Sequence, residues 1–340
     1  MDEQQAVRRA VALSRAVLGT TSPNPPVGAI VLDSSGEVVG AGATQPPGGA
    51  HAEVVALASA GSLARGSTVV VTLEPCAHSG RTSPCTTALL EAGVRRVVVA
   101  CAEPTSLAGG GAKVLCAAGV DVVTGVLEDE VARGPLEAWL GAQRLGRPFV
   151  TWKYAATLDG RNAAADGTSK WITSQQARAD VAQLRSEVDA VVAGIGTVLA
   201  DDPGLTVRID GRATGRQPLR VVLDSDGRTP PGARVLDDSA ESLVVTSALA
   251  PRHDPAAVLA LLGERGVVSV LLEGGPTVAA SFVAAGLVDR IVGYVAPALL
   301  GDGPSVLASI GAGTITDAVR LRLDEVSRVG DDVRLVLRRG

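Results

Sequence analysis

Gly49-Ala50-His51-Ala52-Glu53-Val54-Val55, followed downstream by Thr72-Leu73-Glu74-Pro75-Cys76-Ala77-His78-Ser79-Gly80-Arg81-Thr82-Ser83-Pro84-Cys85, decides how this chain is read. One imidazole and two thiolates, from His51, Cys76 and Cys85, suffice to hold zinc while leaving the fourth tetrahedral position open. Water in that position becomes acidic near neutral pH, and Glu53, two residues past His51, is placed to carry its proton. The pattern predicts a hydrolytic centre, because a structural zinc normally takes four protein ligands. His78 could supply a fourth, but it lies only two residues from Cys76 and is read as a substrate contact. Cys76 and Cys85 bracket a loop leading into a helix, whose N-terminal partial charge favours thiolate over thiol.

Around this stretch the pattern alternates strand and helix. Ala6, Val7, Ala10, Leu13 and Val17 recur at helical spacing, so a helix is expected over residues 3–18, with Asp2 as its cap. Residues 27–33 and 37–42 read as a hairpin about Ser34-Ser35-Gly36. A helix over 50–60 carries His51 and Glu53, and strands are expected over 68–73, 94–100 and 120–123, with helices over 86–92 and 112–118. Such alternation implies a sheet with helices on both faces. The Gly109-Gly110-Gly111 run lacks the spacing of a phosphate cradle and reads as a plain loop.

At 340 residues the chain exceeds one ordinary core, and a new β-rich series starts at Phe149-Val150-Thr151-Trp152. Two α/β domains are therefore expected, over residues 1–147 and 148–340. In the second, a Thr173-x-x-Gln176 capping pattern opens a helix over 174–187, and strands are expected over 188–194, 219–224, 243–246, 267–272, 291–295 and 333–338. The last informative spot is Leu272-Glu273-Gly274-Gly275-Pro276-Thr277, where a buried strand opens through paired glycines onto a helix with proline in its first turn. It fits a phosphate-binding helix start and a tightly packed strand-to-helix turn equally well.

Composition excludes several function classes. A net charge of −5 and an aromatic set of three Trp, two Tyr and two Phe argue against nucleic acid as the main partner. No apolar run approaches the roughly 20 residues that cross a bilayer, and Met1-Asp2-Glu3-Gln4-Gln5 lacks the basic start of a signal peptide, so a cytoplasmic protein without membrane partners is expected. Four cysteines are too few for a disulfide framework. Cys101 and Cys116, outside the cluster, are expected as small core residues.

His-x-Glu followed by Pro-Cys and a further Cys is the mark of zinc deaminases. Eight residues separate Cys76 from Cys85 here, where common nucleoside deaminases have two; this, with Pro23-Asn24-Pro25-Pro26-Val27-Gly28, resembles the deaminase half of the bifunctional riboflavin-biosynthesis deaminase/reductases. The resemblance implies a cytidine-deaminase-like three-layer α/β/α domain and a phosphorylated pyrimidine substrate touched by Asn24, His78 and Arg81. The segments Lys153 to Arg161, Ser169 to Ser174, Gly196 to Arg208, Asp224-Ser225 and Glu273 to Thr277 resemble, in order, the reductase half of the same family.

That half implies a dihydrofolate-reductase-like α/β domain using NADPH. Carried over, the resemblance places cofactor contacts at Ala155, Trp171, Thr197, Asp201, Ser225, Gly275, Pro276, Thr277, Val278, Ala279, Ala280 and Ser281. It places substrate contacts at Ser169, Arg185, Leu205, Arg208 and Glu273, with arginine suited to a phosphate and carboxylate to sugar hydroxyls. Lys153 and Asp201 are candidate proton donors in the reductive step, and a homo-oligomer built through this half is implied. Two departures touch the substrate shell: Thr44 stands where many members have His, and Glu103-Pro104-Thr105-Ser106 replaces Asp-Pro-Asn-Pro.

Overall fold

Two compact units, Met1–Gly146 and Arg147–Gly340, make up the computed structural model. It describes all residues except 79–82, 107, 210, 211, 214, 253 and 340, together with the side chains of 209, 212 and 213.

The first unit runs α1 (Glu3–Ala16), β1 (Gly28–Leu32), β2 (Val38–Ala43), α2 (Ala52–Ala60), β3 (Thr68–Leu73), α3 (Cys85–Glu91), β4 (Arg96–Cys101), α4 (Gly111–Ala117), β5 (Asp121–Thr124), α5 (Glu128–Ala132) and α6 (Glu137–Leu145). Asp2 caps α1 as expected: its carboxylate accepts from Gln5 N at 2.8 Å, while Gln5 Oε1 accepts from Asp2 N. The strands form one sheet in the order β2-β1-β3-β4-β5, antiparallel through β2, β1 and β3 and parallel beyond.

Glycine sets the layering. Gly28 pairs with Ala43, so neighbouring Gly42 points to the opposite face. A Cβ on Gly28 would meet the Ala10 carbonyl of α1 at 2.0 Å, and one on Gly42 the Ala52 carbonyl of α2 at 2.6 Å. The two helices therefore press on opposite faces, giving three layers, and α2 starts hard against β2. Cys101 is buried as expected, but Cys116 is exposed. Gly111 and Leu115 are the buried residues of α4, and the next position turns to solvent.

The second unit runs β6 (Phe149–Thr157), α7 (Gln175–Ser186), β7 (Ala190–Gly194), α8 (Ile195–Asp201), β8 (Arg208–Ile209), β9 (Arg212–Ala213), β10 (Leu219–Leu223), β11 (Ser242–Val245), α9 (Pro255–Glu264), β12 (Ser269–Leu272), α10 (Pro276–Ala284), β13 (Arg290–Ala296), β14 (Leu321–Val329) and β15 (Asp332–Arg339). Its main sheet follows β11-β10-β7-β12-β6-β13-β15-β14, parallel up to β13 and antiparallel over the last two strands. Along β7, Ala190 and Val192 join the core under α9 and α10, while Val191 and Ala193 join the core under α7 and α8. A strand covered on both faces reads as a continuous apolar run, which is how it stood out in the sequence.

Some elements were not legible. α7 begins after Ser174 and not Thr173: Ser174 Oγ accepts from Ala177 N, while Asp332 holds the Ser174 amide at 2.7 Å. The sheet edge β14 was missed because most of its residues are exposed, so apolar and polar positions do not sort by face. The helices α8 and α9 also went unread. Among the described residues, no helix is long and apolar enough to cross a membrane.

Candidate metal centre and glycine-rich cleft

Three element boundaries in the first unit converge. His51 is the N-cap of α2, with extended backbone and no capping bond of its own, so its ring is free for other work. Cys76 lies in the turn after β3, and Cys85 is the first residue of α3. Their ligand atoms all lie within 4.8 Å of one another. His51 Nδ1 is 3.2 Å from Cys85 Sγ and 3.6 Å from Cys76 Sγ. Zinc bonds of about 2.0 Å to nitrogen and 2.3 Å to sulfur give tetrahedral N···S edges of about 3.5 Å, so the set fits zinc. Hydrogen bonds from Cys85 first, and also from His51, hold the Cys76 thiol down to about 4, which leaves thiolate for a metal.

Glu53 is buried in the first turn of α2, and burial pushes its carboxyl above the usual range. His51, Glu53 and Cys76 border a cavity of about 470 Å³ whose remaining wall includes Asn24, Thr44, His78, Glu103, Thr105 and Trp139. His78 Nδ1 is buried and, among the described residues, has no hydrogen-bond partner. Arg81 lies outside the described residues.

The substitutions at the expected substrate shell have internal partners. Thr44 Oγ1 accepts from Val27 N at 3.1 Å and its amide donates to the Val27 carbonyl, extending the β1–β2 pairing. Glu103 Oε1 accepts from both the amide and the hydroxyl of Thr105.

Glu74 was read only as part of a turn. Its Oε1 accepts from Ala112 N at 2.9 Å, at the start of α4, and its Oε2 from Glu103 N at 3.1 Å. A Cβ on Gly111 would come 1.8 Å from the Pro75 carbonyl, so α4 packs directly on the Glu-Pro-Cys turn. Glu74 thus ties the cysteine-bearing turn to the 103–105 loop. A carboxylate one residue before proline at a strand end was the available signal.

In the second unit a cleft of about 520 Å³ opens at the C-terminal ends of β7, β10, β11 and β12, where parallel sheets commonly take ligands. Ser169, Thr197, Asp201, Ser225, Gly275, Pro276, Thr277, Val278 and Ser281 line it. Gly275 is the N-cap of α10 and Pro276 its first residue, with no side chain capping the helix start. Amides there are open to an anion. Cβ atoms on Gly274 and Gly194 would come within 2.8 Å and 2.7 Å of Val278 side-chain atoms. Of the paired glycines, Gly274 packs tightly on Val278, and Gly275 faces the cleft.

Other expected cofactor positions fall outside that lining. Ala279 and Ala280 are buried on the inward face of α10, and Ala155 packs against the core under α7 and α8. Trp171 is 70% exposed, with the Arg178 guanidinium 4.3 Å over its ring. Ser169 Oγ donates to Asp201 Oδ1 at 3.0 Å.

Among the expected substrate contacts, Arg185 and Glu273 meet each other. Arg185 Nε and Nη2 reach the two Glu273 oxygens at 2.5 Å and 2.9 Å, Arg185 Nη1 donates to the Thr206 carbonyl, and Lys153 Nζ lies 3.1 Å from Glu273 Oε2. Burial pushes the Glu273 carboxyl up, but the charges of Arg185 and Lys153 outweigh it and bring it to about 2. The fork expected on a phosphate is thus turned on a carboxylate of its own chain. Leu205 is buried in the core under α7 and α8 with a left-handed backbone, φ 49°, so strain is stored beside it. Arg208 is exposed at the start of β8.

Residues 148–335 match the family described as the RibD C-terminal domain, and residues 1–101 the cytidine and deoxycytidylate deaminase zinc-binding region. The riboflavin biosynthesis protein RibD of Mycobacterium tuberculosis is 52% identical over 334 residues, covering 98% of this chain and 96% of that protein. That of Escherichia coli is 40% identical over 99% of both chains. In structure, the diaminohydroxyphosphoribosylaminopyrimidine deaminase/5-amino-6-(5-phosphoribosylamino)uracil reductase of Thermotoga maritima superposes with a TM-score of 0.90 at 34% identity, covering 99% of each chain.

Proposed function

The chain belongs to the RibD family of riboflavin-biosynthesis proteins, and from that membership we infer how its two units divide the work. It is a bifunctional enzyme: a deaminase-like zinc unit precedes a dihydrofolate-reductase-like unit. The first reaction is hydrolytic deamination of a diaminopyrimidinone carrying a ribosylamino 5'-phosphate. The second reduces the ribosyl group of the product to ribityl. We assign deamination to residues 1–147 and reduction to 148–340.

In the first unit His51, Cys76 and Cys85 would hold zinc, which would supply an acidified water for attack on the ring carbon that bears the leaving amine. Glu53 takes the proton and returns it to the amine as ammonia departs. Asn24, His78 and Arg81 orient the pyrimidine; the buried, unpartnered Nδ1 of His78 supports that role. In the second unit the start of α10, with Thr197, Asp201 and Ser225, would hold NADPH, which supplies the hydride. Ala155, Trp171, Ala279 and Ala280 complete the set of cofactor positions that the family resemblance implies, from outside the cleft lining. Glu273, kept ionised by Arg185 and Lys153, would accept from a ribose hydroxyl, with Ser169, Leu205 and Arg208 completing the substrate site. Lys153 and Asp201 are the candidate donors of the accompanying proton.

The observation that carries this reading is the ligand cluster within 4.8 Å beside buried Glu53, bordering a cavity of about 470 Å³. Small phosphorylated pyrimidines are its partners, the cytoplasm its compartment, and a homo-oligomer its assembly, whose size light scattering would measure. Incubating the zinc-loaded protein with the diaminopyrimidinone substrate should release ammonia without NADPH, and adding NADPH should then cause its oxidation. Absence of both at any substrate level overturns the assignment.

A further inference from the structure

The helix α6 lies beyond the residues that match the zinc-binding region, yet through Trp139 and Gln143 it supplies part of the wall of the deaminase cavity. The two positions are one turn apart and share a helix face. Trp139 is buried, and its Nε1 donates to the Pro23 carbonyl at 3.1 Å. A buried indole N–H needs an acceptor, and here the acceptor is the peptide that leads into Asn24. That segment belongs to no helix or strand. Side chains pin it at several points: Ser14 Oγ donates to the Pro26 carbonyl, Thr21 Oγ1 to the Asn24 carbonyl at 3.0 Å, Trp139 to Pro23, and Thr44 Oγ1 accepts from Val27 N at 3.1 Å. Of these, Trp139 and Thr44 also border the cavity, Trp139 holding the peptide that leads into Asn24 and Thr44 the amide of Val27.

We propose that Trp139 is a positioning residue of the deamination site: its N–H sets where Asn24 stands, and its ring closes the cavity wall beside it. The proposal rests on the deaminase reading and adds to it a residue from outside the matched zinc-binding region. The metal ligands and Glu53 sit on α2, α3 and the turn after β3, whereas Trp139 holds the loop between α1 and β1. Loss of its hydrogen bond should therefore weaken substrate binding and leave the chemical step in place.

Steady-state deamination by Trp139→Phe, Asn24→Ala and the double variant tests this, with zinc content measured on each. Trp139→Phe keeps a ring and removes the N–H, and should raise KM about 3- to 10-fold with kcat within about twofold and zinc unchanged, as loss of one modest hydrogen bond dictates. In the Asn24→Ala background the same change should alter KM by less than about twofold, because the loop would no longer present the group that Trp139 places. Reduction of the deaminated intermediate by the same preparations should be unaltered. An unchanged KM in Trp139→Phe overturns the proposal, and so does an equal effect with and without Asn24, or a fall in kcat that tracks lost zinc. Wild-type protein that releases no ammonia sinks the deaminase reading and this proposal with it.

Discussion

Arg185 grips Glu273 with both prongs of its guanidinium, at 2.5 Å and 2.9 Å, across the interior of the second unit. Glu273 directly precedes the paired glycines at the cleft, so a carboxylate anchored from α7 sets the end of β12 from which α10 departs. The pair is largely desolvated: the Glu273 side chain is 6% exposed and that of Arg185 21%. An ion pair in such a place is costly to break by halves, because the remaining charge is stranded.

Arg185→Ala should therefore destabilise the second unit by about 3–5 kcal/mol. Urea unfolding followed through NADPH-dependent reduction would read it, while ammonia release persists.

Acid should undo the same pair. Glu273 titrates at about 2 in the folded chain, below its ordinary value of 4.5. A carboxylate with a depressed folded value contributes stability above the unfolded value and loses it as pH falls through the folded one. The second unit should thus lose on the order of 3 kcal/mol from this group between pH 4.5 and 2. Glu273→Gln should start less stable and show a flatter acid limb in the same titration.

Glu53→Gln should reduce ammonia release by at least about 100-fold, the lower range for loss of a general acid–base group, with zinc content and reduction of the deaminated intermediate retained. Zinc loss in this variant would mean that Glu53 is a ligand and not a proton carrier.

Removing the metal separates the two activities. Exhaustive chelation should abolish deamination and leave NADPH-dependent reduction of the deaminated intermediate intact, and restored zinc should recover the first activity. Deamination that survives verified metal loss would overturn the role given to His51, Cys76 and Cys85.

Gly274→Ala would bring a Cβ to 2.8 Å from Val278 and force the first turn of α10 to shift. Overpacking of this kind costs about 1–3 kcal/mol. Calorimetry should show NADPH affinity lowered by about 10-fold, a loss of that same order. Unaltered affinity would mean that the start of α10 does not hold the cofactor.

The metal centre was legible because its chemistry is written in short spacings: His51 with Glu53 on one helix start, and Cys76 after a strand that ends in Glu74-Pro75. Apolar runs and cap residues likewise announced β7 and α1, since periodicity is a local property. Cys116 misled because burial of a small residue depends on which face of α4 meets the sheet. The edge strand β14 escaped because partly covered strands carry no sorted pattern.

By itself the sequence determined two α/β units, a His-Cys-Cys cluster with a neighbouring carboxylate, and a glycine-opened helix start in the second unit. Only the tertiary structure decided that Arg185 and Lys153 converge on Glu273, that Glu74 joins two loops, that Ala279 faces the core while Gly275 faces the cleft, and that Trp139 reaches back to Pro23. The reason is separation along the chain: Arg185 and Glu273 are 88 positions apart and Trp139 and Pro23 are 116 apart, and contacts of that reach follow from packing of whole elements.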